Sequence, residues 1–207
     1  TLKNNFVNSL ALDNNSTYFL NTYGSLYSLN NKNFKINWFI NLNQSLDLNP
    51  ANLFYSNPIT IYKDIIIVSS NPNLYILNKI NGSINHKIVI SSIIQPIVSG
   101  QNLFLVTENN LLVCININTG KIIYSLSIEQ EIAKFLETKK KSVNIRSLFL
   151  VNNDLFLYLN NSYLIKFRKN GKIYEVVKPK AKINTLPIFI NGSILYLNKN
   201  NRLIILD

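Results

Sequence analysis

Short apolar runs alternate with stretches rich in Asn and Gly along the whole chain. Residues 103–107 form one such run, residues 111–115 form the next, and the polar residues 108–110 separate them. Runs of this length that are rich in Ile, Val, Leu, Phe and Tyr and bounded by Asn and Gly are typical of β-strands joined by tight hairpins. The pattern therefore predicts an all-β chain of short antiparallel strands.

A motif of the form Leu-x-x-x-Asn-x-x-x-Gly-x-x-x-aromatic recurs within these runs. Its copies begin at Leu26, Leu74, Leu112, Leu164 and Leu203. The first copy has Phe in place of Gly, the fourth is two residues shorter, and the fifth stops at Asp207. Repeats of roughly 40 residues with four strand-length pieces each are typical of β-propeller blades. We therefore predict a β-propeller of about five four-stranded blades.

The blades are predicted to form one domain over residues 1–207, because no Gly/Ser-rich or Pro-rich linker interrupts the repeats. Their approximate boundaries are residues 6–42, 54–90, 94–128, 145–177 and 186–207.

Residues 129–144 break the repeat pattern. Ile132, Phe135 and Leu136 recur at helical spacing, and acidic residues precede basic ones, an order that agrees with the helix dipole. We therefore expect a short helical insertion between the third and fourth blades. The three lysines at 139–141 are interpreted as a solvated helix end rather than a phosphate-binding site.

Two positions of the motif carry structural predictions. Glycine at Gly82, Gly120 and Gly171 suits a turn residue with positive φ. The aromatic position four residues later in the full-length copies should place a flat side chain between neighbouring blades. That position, three residues after the glycine in the shorter fourth copy, is occupied by Trp38, His86, Tyr124 and Tyr174. His86 is therefore interpreted as a filler between blades rather than a ligand or base.

The chain is strongly basic, with 21 Lys and Arg against 10 Asp and Glu and a net charge of +11. Such a balance is found in proteins that bind nucleic acids or anionic membranes. Here nearly all the cations are Lys, and Asn, Ile, Tyr and Phe are abundant with them, as A/T-rich codons would produce. The aromatic residues alternate within strands, mostly toward the predicted core, and so offer bases no stacking platform. We expect a solvated basic surface and no nucleic-acid partner.

Cys114 is the single cysteine, so no disulfide can form within the chain. Its place in an apolar strand predicts a small buried thiol rather than a nucleophile, and the redox compartment stays open. The longest apolar runs, such as residues 65–68, are too short to span a bilayer. The sequence begins at Thr1 without an initiator Met, so we expect that an N-terminal portion was removed or that the sequence is incomplete.

The acidic residues are few and scattered, which argues against catalysis. A quinone (PQQ)-dependent dehydrogenase, the sharpest enzymatic alternative, would need carboxylates to bind Ca²⁺ and to serve as a base. The ten candidates are Asp13, Asp47, Asp64, Asp154, Asp207, Glu108, Glu129, Glu131, Glu137 and Glu175. No histidine pair is present for a transition metal. We expect no catalytic residue, no metal and no cofactor.

Residues 116–124 resemble the Asp-x-x-Thr-Gly-Lys-x-x-Trp element of quinoprotein-type propeller repeats. Trp38 keeps the aromatic position of that element, and Gly171 followed by Lys172 keeps its turn. Within this superfamily, the order of the repeats is similar to the outer-membrane β-barrel assembly factor B family, and the resemblance covers nearly all of the chain.

The resemblance implies an eight-bladed propeller of which this chain is the C-terminal five-eighths, in a periplasmic lipoprotein peripheral to the outer membrane. It implies a non-catalytic scaffold that binds the assembly pore protein and unfolded β-barrel clients through loops and strand edges. The family contacts the pore protein through a Leu-x-Leu-Arg stretch, and Leu2 and Lys3 stand at its end, with Lys in place of Arg. The family's acidic residues before Pro58 are replaced by Leu53 and Tyr55.

Two alternatives stay open at this point. The function could instead be that of a quinone-dependent dehydrogenase or another ligand-binding propeller. A five-blade fragment would also leave strand edges and apolar blade sides unpaired, so it could self-associate, close as a five-bladed ring or be less soluble than its parent.

Overall fold

A computed structural model describes residues 9–43, 54–179, 181–190 and 192–206. The chain forms two compact units, unit 1 (Thr1–Ser125) and unit 2 (Leu126–Asp207). The described residues contain nineteen strands in five antiparallel sheets and one α-helix. In each sheet every strand pairs with the one that follows it in the chain.

Unit 1 contains three four-stranded sheets. Sheet 1 consists of β1 (Ser9–Leu12), β2 (Ser16–Leu20), β3 (Ser25–Asn30) and β4 (Ile36–Asn41). Sheet 2 consists of β5 (Thr60–Tyr62), β6 (Ile65–Ser70), β7 (Asn73–Asn78) and β8 (Ile84–Ile88). Sheet 3 consists of β9 (Ile97–Ser99), β10 (Asn102–Val106), β11 (Leu111–Asn116) and β12, which runs on to Ser127 (Ile122–Ser127).

Unit 2 contains the helix and two sheets. The helix α1 is Ile128–Phe135. Sheet 4 consists of β13 (Ile145–Val151), β14 (Asp154–Leu159), β15 (Leu164–Phe167) and β16 (Ile173–Val177). Sheet 5, as far as the described residues show it, has three strands: β17 (Ile188–Ile190), β18 (Ser193–Leu197) and β19 (Leu203–Leu206).

The continuous apolar run of β6 is explained by burial of sheet 2 on both faces. Ile66 and Val68 belong to a core shared with sheet 1, which includes Tyr18 and Leu26. Ile67, between them, belongs to a second core shared with sheet 3. Because successive side chains of a strand point to opposite faces, a sheet between two others needs apolar residues at every position. Each fully buried side chain of this kind stabilises the fold by about 1.5–3 kcal/mol.

In unit 2, one face of sheet 4 packs on one face of sheet 5. The shared core contains Phe156, Tyr158 and Leu164 of sheet 4 with Ile194 and Tyr196 of sheet 5. The rings of Phe156 and Phe189 meet edge to face with centroids 4.9 Å apart, a favoured geometry for aromatic pairs.

The prediction of an all-β chain built from propeller-type blades with one helical insertion is confirmed, and four of the five described sheets have the predicted four strands. The helix begins one residue before the predicted insertion and ends at Phe135, because Leu136 leaves helical geometry and Glu137 has a positive φ of 51°. The division into blades at the predicted boundaries within one domain stays a prediction. The structure describes no helix of sufficient length and apolar character to cross a membrane.

Candidate binding surfaces

The motif's Asn and Gly build the hairpin between the third and fourth strands of a sheet. In sheet 2, Asn78 Oδ1 accepts hydrogen bonds from the backbone N–H groups of Ile80 (2.8 Å) and Asn81 (3.3 Å). The N–H of Gly82 then donates to the carbonyl of Asn78 at 2.9 Å, with φ at +72°. This side-chain-capped turn followed by a left-handed residue explains why the motif carries Asn and Gly four residues apart.

Sheet 3 repeats the arrangement at Asn116. Its Oδ1 accepts from the N–H groups of Asn118 and Thr119, both at 3.0 Å, and Gly120 N–H donates to its carbonyl at 2.8 Å. The two hairpins therefore present a bare glycine backbone in the same position of successive sheets.

Trp38 lies against the glycine of the next sheet. A Cβ atom built on Gly82 would lie 2.5 Å from Trp38 Cε3, so the indole ring rests directly on the glycine backbone. The indole N–H donates to the carbonyl of Lys79 in the same hairpin at 3.0 Å. The ring thus fills the space between sheets 1 and 2 while its polar atom is satisfied.

His86 occupies the corresponding place between sheets 2 and 3. A Cβ on Gly120 would lie 2.8 Å from His86 Nδ1, and Nε2 lies 3.0 Å from the carbonyl of Asn118. Because a carbonyl oxygen only accepts, Nε2 must carry the proton. The structure places this imidazole in a packing and hydrogen-bonding role equivalent to that of Trp38.

The two tyrosines of the motif have different surroundings. Burial raises the pKa of Tyr124, on β12, well above its usual value, and neighbouring Cys114 adds to the effect. Tyr174, on β16, donates its hydroxyl proton to Asp154 Oδ2 at 2.9 Å within sheet 4. Burial first, and then Asp154, raise the pKa of Tyr174 to about 12. The turn residue Gly171 has a φ of +81°, and its N–H donates to the carbonyl of Arg168 at 2.8 Å.

The described carboxylates are scattered, and four of them form ion pairs with lysines. Asp13 forms an ion pair with Lys79 at 3.1 Å and accepts from the N–H groups of Asn15 and Ser16, both at 2.8 Å. Burial by itself would raise the pKa of Asp13, but these two N–H groups and Lys79 lower it below its usual value. Glu175 pairs with Lys166 at 2.7 Å. Among the described residues, no three His, Cys, Asp or Glu side chains gather as a metal site would require.

An apolar row crosses the outer face of sheet 1. Strand register aligns Leu10 with Phe19, Phe19 with Tyr27, and Tyr27 with Phe39. The rings of Phe19 and Tyr27 stack with centroids 6.4 Å apart, and those of Tyr27 and Phe39 at 5.7 Å. Phe39 is 64% exposed, and Leu10 is exposed as well. We call these four residues the sheet 1 face.

The sheet 1 face is an exception to the expectation that the aromatic residues lie mostly toward the core. Tyr18 and Trp38, on the opposite face, pack toward sheet 2, whereas Phe19 and Phe39 lie on the side that no described sheet of unit 1 covers. The sequence carries a signal for this arrangement, because residues 17–20 contain apolar side chains on both faces of the strand.

Unit 2 has a second exposed apolar surface. Ile188, Leu195 and Ile205 lie side by side across sheet 5, and Ile188 and Ile205 are exposed. We call these three residues the sheet 5 face. Strand β19 pairs with β18 on one side and, among the described residues, with no strand on the other. Contiguous exposed apolar surface and open strand edges are features of interaction sites. The predicted contact residues Leu2 and Lys3 lie outside the described residues.

The sheets are antiparallel meanders that pack face to face, and an aromatic side chain rests on the neighbouring hairpin. This arrangement defines the chain as a β-propeller-type protein. Its fold is similar to that of BamB from Moraxella catarrhalis, with a TM-score of 0.72 and 12% identity. That similarity covers 99% of this chain and 60% of that one. The computationally designed protein Ika8 is also similar, with a TM-score of 0.68 and 10% identity over 95% of this chain and 56% of its own.

The chain therefore spans about three-fifths of the length of these solved structures. At such low identity the similarity shows the fold. No protein-family model and no curated protein matches the sequence.

Proposed function

We propose that this chain is a non-catalytic binding scaffold in the assembly of outer-membrane β-barrel proteins. The observation that carries the proposal is its similarity to BamB over 99% of the chain. The resemblance of residues 116–124 to the repeat element of the same superfamily supports it. The proposed location is the periplasm, peripheral to the outer membrane, as part of a lipoprotein. Leu2 and Lys3 stay predicted contacts with the assembly pore protein.

The exposed surfaces suit such a role physically. Among the described residues β19 pairs on one side only, and an extended segment can add as a further strand to the backbone N–H and C=O groups of its other edge. The sheet 1 face presents aromatic and aliphatic side chains that a partner would remove from water. Unfolded β-barrel clients carry segments of both kinds, with backbone groups free to pair and alternating apolar side chains.

An affinity capture from detergent-solubilised outer membranes tests the proposal. The tagged chain is expected to recover the assembly pore protein, identified by mass spectrometry. The designed protein Ika8, which has a similar fold at 10% identity, is the matched control for contacts that any protein of this fold would make. Recovery of no pore protein, or equal recovery on Ika8, would contradict the proposed function.

A pair of variants locates the contact. Phe39→Lys removes an aromatic anchor from the sheet 1 face and is expected to lower the recovery several-fold. Tyr23→Lys is the control, since Tyr23 is 60% exposed but lies in the turn between β2 and β3. Both variants add one positive charge, so a difference between them reports the surface and not the charge.

A further inference from the structure

The insertion between sheets 3 and 4 creates a groove in unit 2. Ile132 of helix α1 and Leu136, just after the helix, form one wall, and sheet 4 forms the other with Ile165 and Val176. The volume of this open cavity is about 320 Å³, at the lower end of the range of ligand-binding clefts. We call this cavity the helix groove.

The helix groove is held in place by its own polar contacts. The Ser127 hydroxyl caps α1 and accepts from the N–H of Gln130 at 3.4 Å, and Ile128 is fully buried. Glu129 joins the start of the helix to the end of the insertion, because it accepts from the N–H of Val143 at 3.4 Å and pairs with Lys140 at 3.3 Å. A wall fixed at both ends costs less ordering when a ligand binds.

The rim of the helix groove is positively charged. Lys139 and Lys141 line it, both are exposed, and neither forms an ion pair with any residue that the structure describes. The one acidic lining residue, Glu129, is neutralised by Lys140. A concave surface concentrates the field of two unpaired cations and attracts negative groups.

The walls of the helix groove suit a ligand that has apolar side chains and a polar backbone. Leu136 is 44% exposed at the groove, and Ile132 and Val176 are half-buried, so an entering apolar side chain would remove their surface from water. Thr138, Ser142 and Asn161 also line the cavity. These polar groups can hydrogen-bond a peptide backbone, whereas a hydrocarbon chain would leave them desolvated.

We propose that the helix groove binds a peptide segment of a partner protein in which apolar residues alternate with carboxylates. The apolar side chains enter between α1 and sheet 4, and the carboxylates meet Lys139 and Lys141. This binding does not depend on the outer-membrane role proposed above, and it is measured without membranes.

Fluorescence anisotropy with short labelled peptides tests the groove. The probe alternates leucine and aspartate, and the matched peptide has asparagine at each aspartate position. The aspartate peptide is expected to bind more tightly, and the difference should shrink as salt rises, because exposed charge pairs are screened. Equal binding of the two peptides would overturn the proposal.

Variants then assign the binding to this cavity. The double variant Lys139→Ser/Lys141→Ser is expected to weaken binding roughly 2- to 30-fold, as the loss of two exposed ion pairs predicts. Lys32→Ser/Lys35→Ser, at exposed positions of unit 1, makes the same charge change and should leave binding unchanged. Equal losses in the two double variants would show a non-specific charge effect and refute the site.

A second pair of variants tests the apolar wall of the helix groove. Leu136→Asp should abolish binding, whereas Phe135→Asp should not, since Phe135 is similarly exposed (43%) but does not line the groove. Stronger binding of oleate vesicles than of the aspartate peptide, lost in Leu136→Asp, would identify a lipid occupant and overturn the peptide assignment.

Discussion

At the scale of single residues, the contact between Trp38 and Gly82 leaves no room for a side chain. Gly82→Ala would place a methyl group against the indole, in addition to the cost of a non-glycine residue at φ +72°. The conformational cost is about 1–2 kcal/mol, and overpacking adds typically 1–3 kcal/mol. We expect the free energy of unfolding of unit 1 to fall by about 2–5 kcal/mol. Urea unfolding followed by the fluorescence of Trp38, the single tryptophan, measures this change.

Gly100→Ala isolates the conformational part of this effect. Gly100 also has a positive φ, +62°, but a Cβ there would meet nothing within 4 Å. Gly100→Ala should therefore lower the free energy of unfolding only by the conformational cost, about 1–2 kcal/mol. If Gly82→Ala and Gly100→Ala destabilise unit 1 equally, the ring of Trp38 does not need the glycine backbone as a contact surface.

The repeat motif predicted which residues have a structural role, but it did not predict which residues of neighbouring repeats they contact. Asn78 and Gly82 stand four residues apart, and turn chemistry explains that spacing from the sequence alone. The contact of Trp38 with Gly82 joins two different repeats, and periodicity within a repeat gives no distance between repeats. The tautomer of His86 likewise depends on the carbonyl of Asn118 in the neighbouring hairpin.

At the scale of elements, the hairpin between β3 and β4 departs from its counterparts. Phe34 occupies the glycine position, with φ at +56° and its N–H bonded to the carbonyl of Asn30 at 2.9 Å. Its side chain is 80% exposed, so little packing offsets the left-handed conformation. Phe34→Gly should stabilise unit 1 by about 0.5–1 kcal/mol, because relief of about 1–2 kcal/mol exceeds the entropy cost of glycine.

Asn201→Gly is the matched control for this hairpin. Asn201 also has a positive φ, +57°, and its N–H donates to the carbonyl of Asn198 in the turn between β18 and β19. Asn tolerates this conformation, so the change should lie within about 0.5 kcal/mol of zero. Urea unfolding followed by circular dichroism measures both variants. A loss of stability in Phe34→Gly would mean that contacts of the exposed ring outweigh the cost of the left-handed backbone conformation at this position.

The helical insertion shows where prediction from sequence ends at this scale. Spacing and charge order placed the start of α1 within one residue, because they are properties of one segment, but they did not predict its end at Phe135. The helix groove was not predictable, since its second wall consists of Ile165 and Val176 from strands more than twenty residues further along the chain. Similarly, the recurring apolar runs predicted short strands, but only the packing of sheet 1 decides which faces of β2 and β4 are exposed.

At the scale of the whole molecule, two opposing effects decide whether copies of the chain associate. The sheet 1 face and the sheet 5 face expose large apolar side chains, whose burial is favourable at about 25 cal/mol per Å². The net charge of +11 makes every copy repel every other. Salt screens the repulsion, since the Debye length falls to about 10 Å at 0.1 M ionic strength, but leaves the apolar burial intact.

Self-association should therefore increase with both protein concentration and salt. Analytical ultracentrifugation is expected to give a weight-average mass above that of one chain at high salt, falling toward one chain at low salt. Ile188→Lys/Ile205→Lys, on the sheet 5 face, should shift the mass back toward one chain. Ile80→Lys/Val89→Lys adds the same charge at exposed positions between and after strands of unit 1 and should have a smaller effect. A mass that stays at one chain under all conditions would show that the two faces are too small or too well hydrated to pair.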